Sequence, residues 1–170
     1  ANIAEDLILE IGGNAMLVRA GALHHDIGKI AFPMFFIENQ NTGFNPHNEI
    51  SYEESAQVII AHVTNGVKLA YKHSLPEPII DFIRTHHGTS KTKYFYNRYV
   101  AENPDKPIDQ TLFTYKGPRP FSRETAVVMM VDAVEAASRS LKTHTESEIS
   151  KLVDNIINSQ IADEQFSNSD

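Results

Sequence analysis

The stretch Ser51-Tyr-Glu-Glu-Ser-Ala-Gln-Val-Ile-Ile-Ala-His-Val63 decides the fold class. Ser51 with Glu54 is a capping-box pattern, in which each side chain satisfies a backbone N–H that the first helical turn leaves unpaired. Ala56, Ile59, Ile60 and Val63 then follow the i, i+3, i+4, i+7 rule that lays apolar side chains along one helix face. Similar punctuation recurs in both directions. The chain opens mid-helix at Ala1-Asn-Ile-Ala-Glu-Asp6, and Asn14, after the Gly12-Gly13 break, can cap a helix carrying Met16, Leu17, Ala20 and Leu23 towards His25 and ending near Gly28. Thr64-Asn65 can start a further helix through Val67 and Tyr71. Pro76 and Pro78 open another, carrying Ile79, Ile80 and Ile83 to His86 and His87, and Gly88 closes it. A short aromatic segment, Tyr94 to Val100, precedes a loop whose Pro104, Pro107, Gly117, Pro118 and Pro120 forbid regular structure. Ser122 leads into a long helix through Met129 and Asp132, and Thr145 with Glu148 caps a last one bearing Ile149, Leu152, Val153, Ile156 and Ile157. Strand signals are scarce, so the expected fold is all-α.

Composition bounds the rest. A chain of 170 residues, 41% hydrophobic, fits one domain over residues 1–170, since roughly 100–200 residues per domain is usual. The longest apolar stretch, Ala126 to Ala137, is broken by Asp132 and Glu135 and falls short of the ~20 residues of a membrane span. The opening Ala1-Asn-Ile-Ala-Glu-Asp6 lacks a basic n-region, so nothing in it reads as a secretory signal. The absence of cysteine excludes disulfides, thiolate metal sites and a cysteine nucleophile, so any metal must be held by His, Asp or Glu. A net charge of −7 argues against binding a nucleic-acid polymer, which relies on clustered Lys and Arg. An anionic substrate would need a local positive charge, and bound metal can supply it.

His25-Asp26 stands where an apolar helix runs out into Ile27-Gly28-Lys29, so two adjacent side chains can turn towards one centre. Taken alone, the pair also fits a helix end with a dipole-favoured histidine and a solvated aspartate. His86-His87 closes a second apolar helix in the same manner, as metal ligands or as a wet terminus. His62 lies on a largely apolar flank, where a lone histidine is more often a core residue bonded to a backbone carbonyl. Asp132 sits within Val127-Val-Met-Met-Val-Asp-Ala-Val134. An unpaired buried carboxylate costs several kcal/mol, so such a residue usually pairs or binds a cation. Together these helices can hold two borderline or hard cations. His24, His47, His73 and His144 lack this context and read as structural or exposed. Glu135, one turn beyond Asp132, reads as solvated or supporting.

Several segments also resemble a known family: Gly21-Ala-Leu-His-His-Asp-Ile-Gly-Lys29, Phe35-Phe-Ile-Glu-Asn-Gln40, Asn45-Pro-His47, Val58 to Gly66, Ile80-Asp-Phe-Ile-Arg-Thr-His-His-Gly-Thr-Ser90, Tyr94-Phe-Tyr96 and Val131-Asp-Ala-Val-Glu-Ala-Ala-Ser-Arg-Ser140. They are similar to the HD-domain superfamily and, more narrowly, to the seven-transmembrane HD family of bacterial cyclic di-AMP phosphodiesterases. The resemblance implies an HD-type helical bundle with its metal centre between helices. It implies a first metal held by an early histidine with His25, Asp26 and Asp132, and a second held by bridging Asp26 with His62, His86 and His87. The early histidine would precede Ala1 and the family continues past Asp170, so both ends are expected to be trimmed. Two divalent ions follow, iron or manganese suiting this donor set best and zinc remaining compatible. The expected setting is the cytoplasmic part of a bacterial inner-membrane protein, with membrane contact only through parts outside this chain. Oligomeric state stays open, as does the choice between cyclic di-AMP and cyclic di-GMP.

The implied reaction is hydrolysis of cyclic di-AMP to linear pApA by a metal-activated water, with Asp26 and Lys29 as catalytic residues. Lys29 can steady a phosphate oxygen or the leaving group, or be an exposed lysine. Arg139 can clamp a phosphate bidentately, or be a surface arginine. Thr89 and Ser90, beside the histidine pair, and the rings of Tyr94 and Tyr96 can contact the nucleotide, with core packing the plainer role for both tyrosines. Two rivals remain: an HD nucleotidase acting on mononucleotides or dNTPs, and a non-catalytic nucleotide-sensing module.

Overall fold

The computed structural model describes residues 1–40 and 43–169. Its helices are α1 (Asn2–Ile11), α2 (Ala15–His24), α3 (Tyr52–Lys72), α4 (Glu77–Thr85), α5 (Lys93–Glu102), α6 (Arg123–Ser138) and α7 (Glu146–Ala162). Short 3-10 turns, among them Ile27–Ala31, Pro33–Phe35 and Ile37–Asn39, join α2 to α3. Among the described residues no strand forms, and one isolated antiparallel bridge pairs Lys91 with Thr114. The fold is all-α.

The helix starts lie where the caps put them. Ser51 Oγ accepts from Glu54 N at 3.1 Å while Glu54 Oε2 accepts from Ser51 N at 2.9 Å. Asn14 Oδ1 accepts from Leu17 N at 3.0 Å, Ser122 Oγ from Thr125 N at 3.2 Å and Thr145 Oγ1 from Glu148 N at 3.3 Å. Each such cap contributes about 1 kcal/mol by pairing an otherwise orphaned N–H.

Three local expectations are corrected. No helix begins at Thr64-Asn65: α3 runs unbroken from Tyr52 to Lys72, and Thr64 Oγ1 donates back to Ala61 O at 3.0 Å instead of capping. The helix expected to end near Gly28 stops at His24, and the chain tightens into the 3-10 turn Ile27–Ala31. That turn lies flat on α3, because a Cβ at Gly28 would stand 1.8 Å from His62 O and 2.4 Å from Gly66 N. Only glycine lets the two backbones approach so closely. Last, the proline-rich loop is not wholly irregular: it contains a 3-10 turn, Gln110–Phe113, hung on Thr92, whose N donates to Phe113 O at 2.8 Å.

One core cluster joins Ala4 and Ile8 of α1, Val18 of α2, Phe82 of α4, and Val127 and Val128 of α6. A second joins Ala70 of α3 to Ile80 and Ile83 of α4. Phe82 is 1% exposed and fills the space above Gly21 of α2; truncating such a ring to Ala costs roughly 3–5 kcal/mol. This packing fixes the C-terminal ends of α2 and α4 beside the middles of α3 and α6, where the candidate site lies.

Candidate metal centre

His25 follows the last residue of α2 and Asp26 immediately precedes the turn Ile27–Ala31; His62 lies inside α3, His86 and His87 follow α4, and Asp132 lies inside α6. In three of the histidines Nδ1 is anchored in the same way. His25 Nδ1–H donates to Ala22 O at 2.8 Å, His62 to Ile59 O at 2.6 Å and His86 to Ile83 O at 2.8 Å. Each ring is held by a carbonyl of its own helix, which fixes the tautomer and turns Nε2 towards a common point.

The Nε2 atoms converge on carboxylates. His25 Nε2 lies 3.2 Å from Asp26 Oδ2 and 3.3 Å from Asp132 Oδ1. Asp26 Oδ1 lies 3.3 Å from His62 Nε2 and 3.7 Å from His86 Nε2, so the two oxygens of Asp26 face different histidines. His62 Nε2 and His86 Nε2 are 3.0 Å apart. His87 joins from the side, its ring 4.1 Å from that of His86 and stacked 4.2 Å from Tyr115.

The spacing tests whether a metal fits. With both Nδ1 atoms committed to carbonyls, the Nε2 atoms of His62 and His86 are left facing each other, an arrangement that a cation or proton between them satisfies. Ligand atoms about 2.0–2.1 Å from one ion stand roughly 3–3.5 Å apart, which is the spacing seen here. One ligand atom each from His62, His86 and His87 fall within 4.8 Å of one another, as do those from His25, Asp26 and His86. The residues present fit divalent metal.

Without metal the centre stores its charges in pairs. Burial pulls the His25 imidazolium down, but hydrogen bonds to Asp132 and Asp26 and their charges outweigh it, and the pKa is pushed up to about 10. Burial works against Asp26 ionising, yet hydrogen bonds from His25 and His62 and the charges of His25 and Lys29 hold its pKa far below the carboxylate range. Asp132 is likewise lowered, by His25 against burial. His86 goes the other way: burial, with the charges of His25 and His62, lowers it to about 3. His87 is lowered for the same first reason. Burial, and the nearby charges of Asp132 and Asp26, raise the Tyr115 phenol, which stays neutral.

A cavity of about 1390 Å³ opens over the centre, walled by His25, Asp26, His62, His87 and Asp132 and continuing past Lys29, Glu38 and Arg139 to Tyr94, Phe95 and Arg98. Lys29 Nζ lies 2.7 Å from Asp26 Oδ2 and 2.7 Å from Glu38 Oε1, over the face of Phe36. Arg139 is on the rim, held by Glu135 at 2.9 Å and 3.5 Å from Glu38 Oε2. Tyr94 lines the cavity and is 64% exposed. Thr89, Ser90 and Tyr96 are not brought there. Thr89 Oγ1 is engaged by Gln165 and Arg119, Ser90 O accepts from Tyr115 N at 2.9 Å, and Tyr96 packs on Phe113 beneath Lys91. His47, read as structural, does serve structure by donating Nε2–H to Phe35 O at 2.9 Å, but it also lines the cavity. Sequence reasoning missed Glu38 and Tyr115. Glu38 sat unread inside the Phe35–Gln40 segment, and Tyr115 lies in the proline-rich loop with no local signal for its stack on His87.

An all-α bundle that gathers histidines and carboxylates from α2, α3, α4 and α6 into one cleft is a metal-site scaffold. Residues 1–137 match the HD domain model, and the chain belongs to the HD domain family. It is 40% identical, over all 170 residues, to the cyclic-di-AMP phosphodiesterase PgpH of Listeria monocytogenes and to that of Bacillus subtilis, spanning 23% and 24% of their lengths. The crystal structure of the L. monocytogenes PgpH HD domain in complex with cyclic-di-AMP superposes with a TM-score of 0.94 at 40% identity, covering 99% of this chain and 78% of that one. Among the described residues, no helix is long and apolar enough to cross a membrane.

Proposed function

We propose that this chain is a metal-dependent phosphodiesterase domain that hydrolyses cyclic di-AMP to pApA. The carrying observation is the convergence of three carbonyl-anchored imidazoles on the two oxygens of Asp26. The similarity to PgpH, whose HD domain was crystallised with cyclic-di-AMP, supplies the substrate class. Asp26 would be shared between one ion held by His25 and Asp132 and another held by His62, His86 and His87. Two divalent ions, iron or manganese by donor type, would supply Lewis-acid activation of a water and neutralise phosphoryl charge.

The chain's own residues do the rest. Asp26 and Asp132 stay ionised while burial keeps His86 and His87 neutral, and His62 turns Nε2 towards them. Lys29, kept cationic by Asp26 and Glu38 despite partial burial, stands where a phosphoryl oxygen or departing 3′ oxygen gains a point charge. Arg139 marks the rim for the second phosphate, and Tyr94 offers an open ring face to a base. We assign Thr89, Ser90 and Tyr96 to holding the walls. We read residues 1–170 as one domain of a larger membrane-anchored protein.

The test is turnover by the manganese-loaded protein of cyclic di-AMP, cyclic di-GMP and a panel of dNTPs, with products separated by chromatography. The reading expects pApA from cyclic di-AMP, and its loss in Asp26→Ala together with both ions. Hydrolysis of dNTPs alone would favour the nucleotidase, and binding without turnover the sensing module.

A further inference from the structure

The turn after α7 lies beyond residue 137, where the match to the HD family ends. It carries Gln165, a polar side chain only 2% exposed. The amide is fully engaged. Oε1 accepts from Thr89 N at 2.9 Å, and Nε2 donates to Thr89 Oγ1 at 3.1 Å and to Asp163 O at 3.2 Å. Arg119 Nε donates to the same hydroxyl at 3.1 Å and its Nη1 donates to Ser167 Oγ at 3.3 Å. Gly88, at φ +50°, fits beneath: a Cβ there would stand 2.3 Å from Gln165 Oε1. Thus both residues that follow His86-His87 are shaped to one distant amide.

What this does for the site follows from how His87 is held. Among the described residues its ring has no carbonyl anchor of the kind that fixes His25, His62 and His86. Its aim depends on the backbone of the turn, where Ser90 N donates to His87 O at 3.0 Å, and on the stack with Tyr115. Tyr115 hangs on that same turn, through Tyr115 N to Ser90 O at 2.9 Å. Displacing Thr89 therefore moves His87 and its stacking partner together.

We infer that Gln165 is a positioning residue for the metal centre: it clasps Thr89 and so fixes the turn that aims His87. The inference rests on the metal-centre reading above. It makes the segment after α7, outside the HD match, part of what shapes the site.

The experiment compares the metal-stripped chain with Gln165→Ala, Gln165→Glu and Gln160→Ala, using manganese titration calorimetry and histidine ring NMR signals of the metal-free protein. Gln160→Ala is the control, since it removes the bond from α7 to Met129 O without touching Thr89. Gln165→Ala is expected to weaken manganese binding about ten-fold, as loss of a supporting contact typically does, and to move the His87 signals while those of His25 stay. Gln165→Glu keeps the acceptor for Thr89 N but loses both bonds donated by Nε2, so it recovers only part of the affinity. Wild-type affinity and wild-type His87 signals in Gln165→Ala would overturn the inference, as would an equal loss in Gln160→Ala. Should Gln165→Ala not fold, Thr89→Val removes the hydroxyl half of the clasp and is read in the same way. A wild-type chain that binds no manganese would defeat the metal-centre reading, whereas the His87 signals still decide the clasp.

Discussion

His62 Nε2 and His86 Nε2 face each other at 3.0 Å, and each ring has already spent its Nδ1–H on a carbonyl of its own helix, Ile59 O and Ile83 O. Two imidazole nitrogens so placed, on side chains 2% and 1% exposed, are positioned to share a cation between them. The bond to Ile59 O is what a core histidine would make, so the structural and the ligand readings of His62 are not rivals: the first prepares the second.

His62→Ala is therefore expected to fold, because Ala56 and Ile60 keep α3 packed, while turnover drops by about two orders of magnitude and manganese is held more weakly. Circular dichroism melting alongside metal analysis distinguishes the outcomes. Unchanged metal content with a sharply lower Tm would return His62 to the core and remove it from the centre.

How much of this was legible depends on the range of the interaction. Ser51, Asn14, Ser122 and Thr145 cap helices with atoms three residues away, and such contacts can be read from the chain. Thr64 looked like a cap too. Instead its hydroxyl turns back to Ala61 O inside an unbroken α3, against which Gly28 packs at His62 and Gly66, a contact that no local pattern encodes. At the site, His25, Asp26, His62, His86, His87 and Asp132 stood out as polar residues on apolar helices, but their convergence is tertiary. Glu38, Tyr115 and Gln165 carry no such mismatch with their neighbours, so nothing in their surroundings marked them.

The stability of the metal-free protein should fall on both sides of about pH 6.5, the ordinary histidine pKa. His25 is raised to about 10, so the stability it draws from Asp132 and Asp26 is fully present below about pH 6.5 and is lost as pH rises through about 10. His86 is lowered to about 3, so its contribution is intact above about pH 6.5 and is lost as pH falls towards about 3. Denaturant melts of chelator-treated protein across that range check both limbs. Metal loading should flatten the alkaline limb, because His25 Nε2 must give up its proton to become a ligand. Proton release on manganese binding, measured in buffers of different ionisation enthalpy, tests that link, and its absence would take His25 out of the ligand set.

Gly28→Ala should be worse than its size suggests. The added methyl would meet His62 O and Gly66 N, both backbone atoms that cannot rotate away. The turn carrying Asp26 and Lys29 must lift from α3, at about 3 kcal/mol, typical of overpacking a tight contact. Since the same lift separates Asp26 from His62, metal affinity should fall along with Tm. Gly12→Ala is the comparison: Gly12 has φ +81° but open space around it, so it strains the backbone by about 1 kcal/mol and leaves metal binding alone. Equal metal affinity in both variants would detach the Gly28 contact from the site.

Lys29 gives the sharpest test of chemistry as distinct from assembly. Its ammonium is 2.7 Å from both Asp26 Oδ2 and Glu38 Oε1, and those charges keep it protonated against the pull of burial, so it is a fixed cation at the edge of the cavity. Lys29→Met keeps an apolar stem of similar length and deletes the ammonium that lies over Phe36. If the charge acts on the phosphoryl group mainly in the transition state, kcat should fall about 10²-fold with KM for cyclic di-AMP nearly unchanged. Metal content should stay at the wild-type level, because Asp26 loses a competitor and no ligand. Lys29→Arg should not restore the rate, since the longer, planar guanidinium would pair with Asp26 and Glu38 in a different geometry and carry its charge away from the Nζ position. A raised KM with unaltered kcat would instead make Lys29 a substrate-holding residue, and loss of metal in Lys29→Met would make it a support for Asp26.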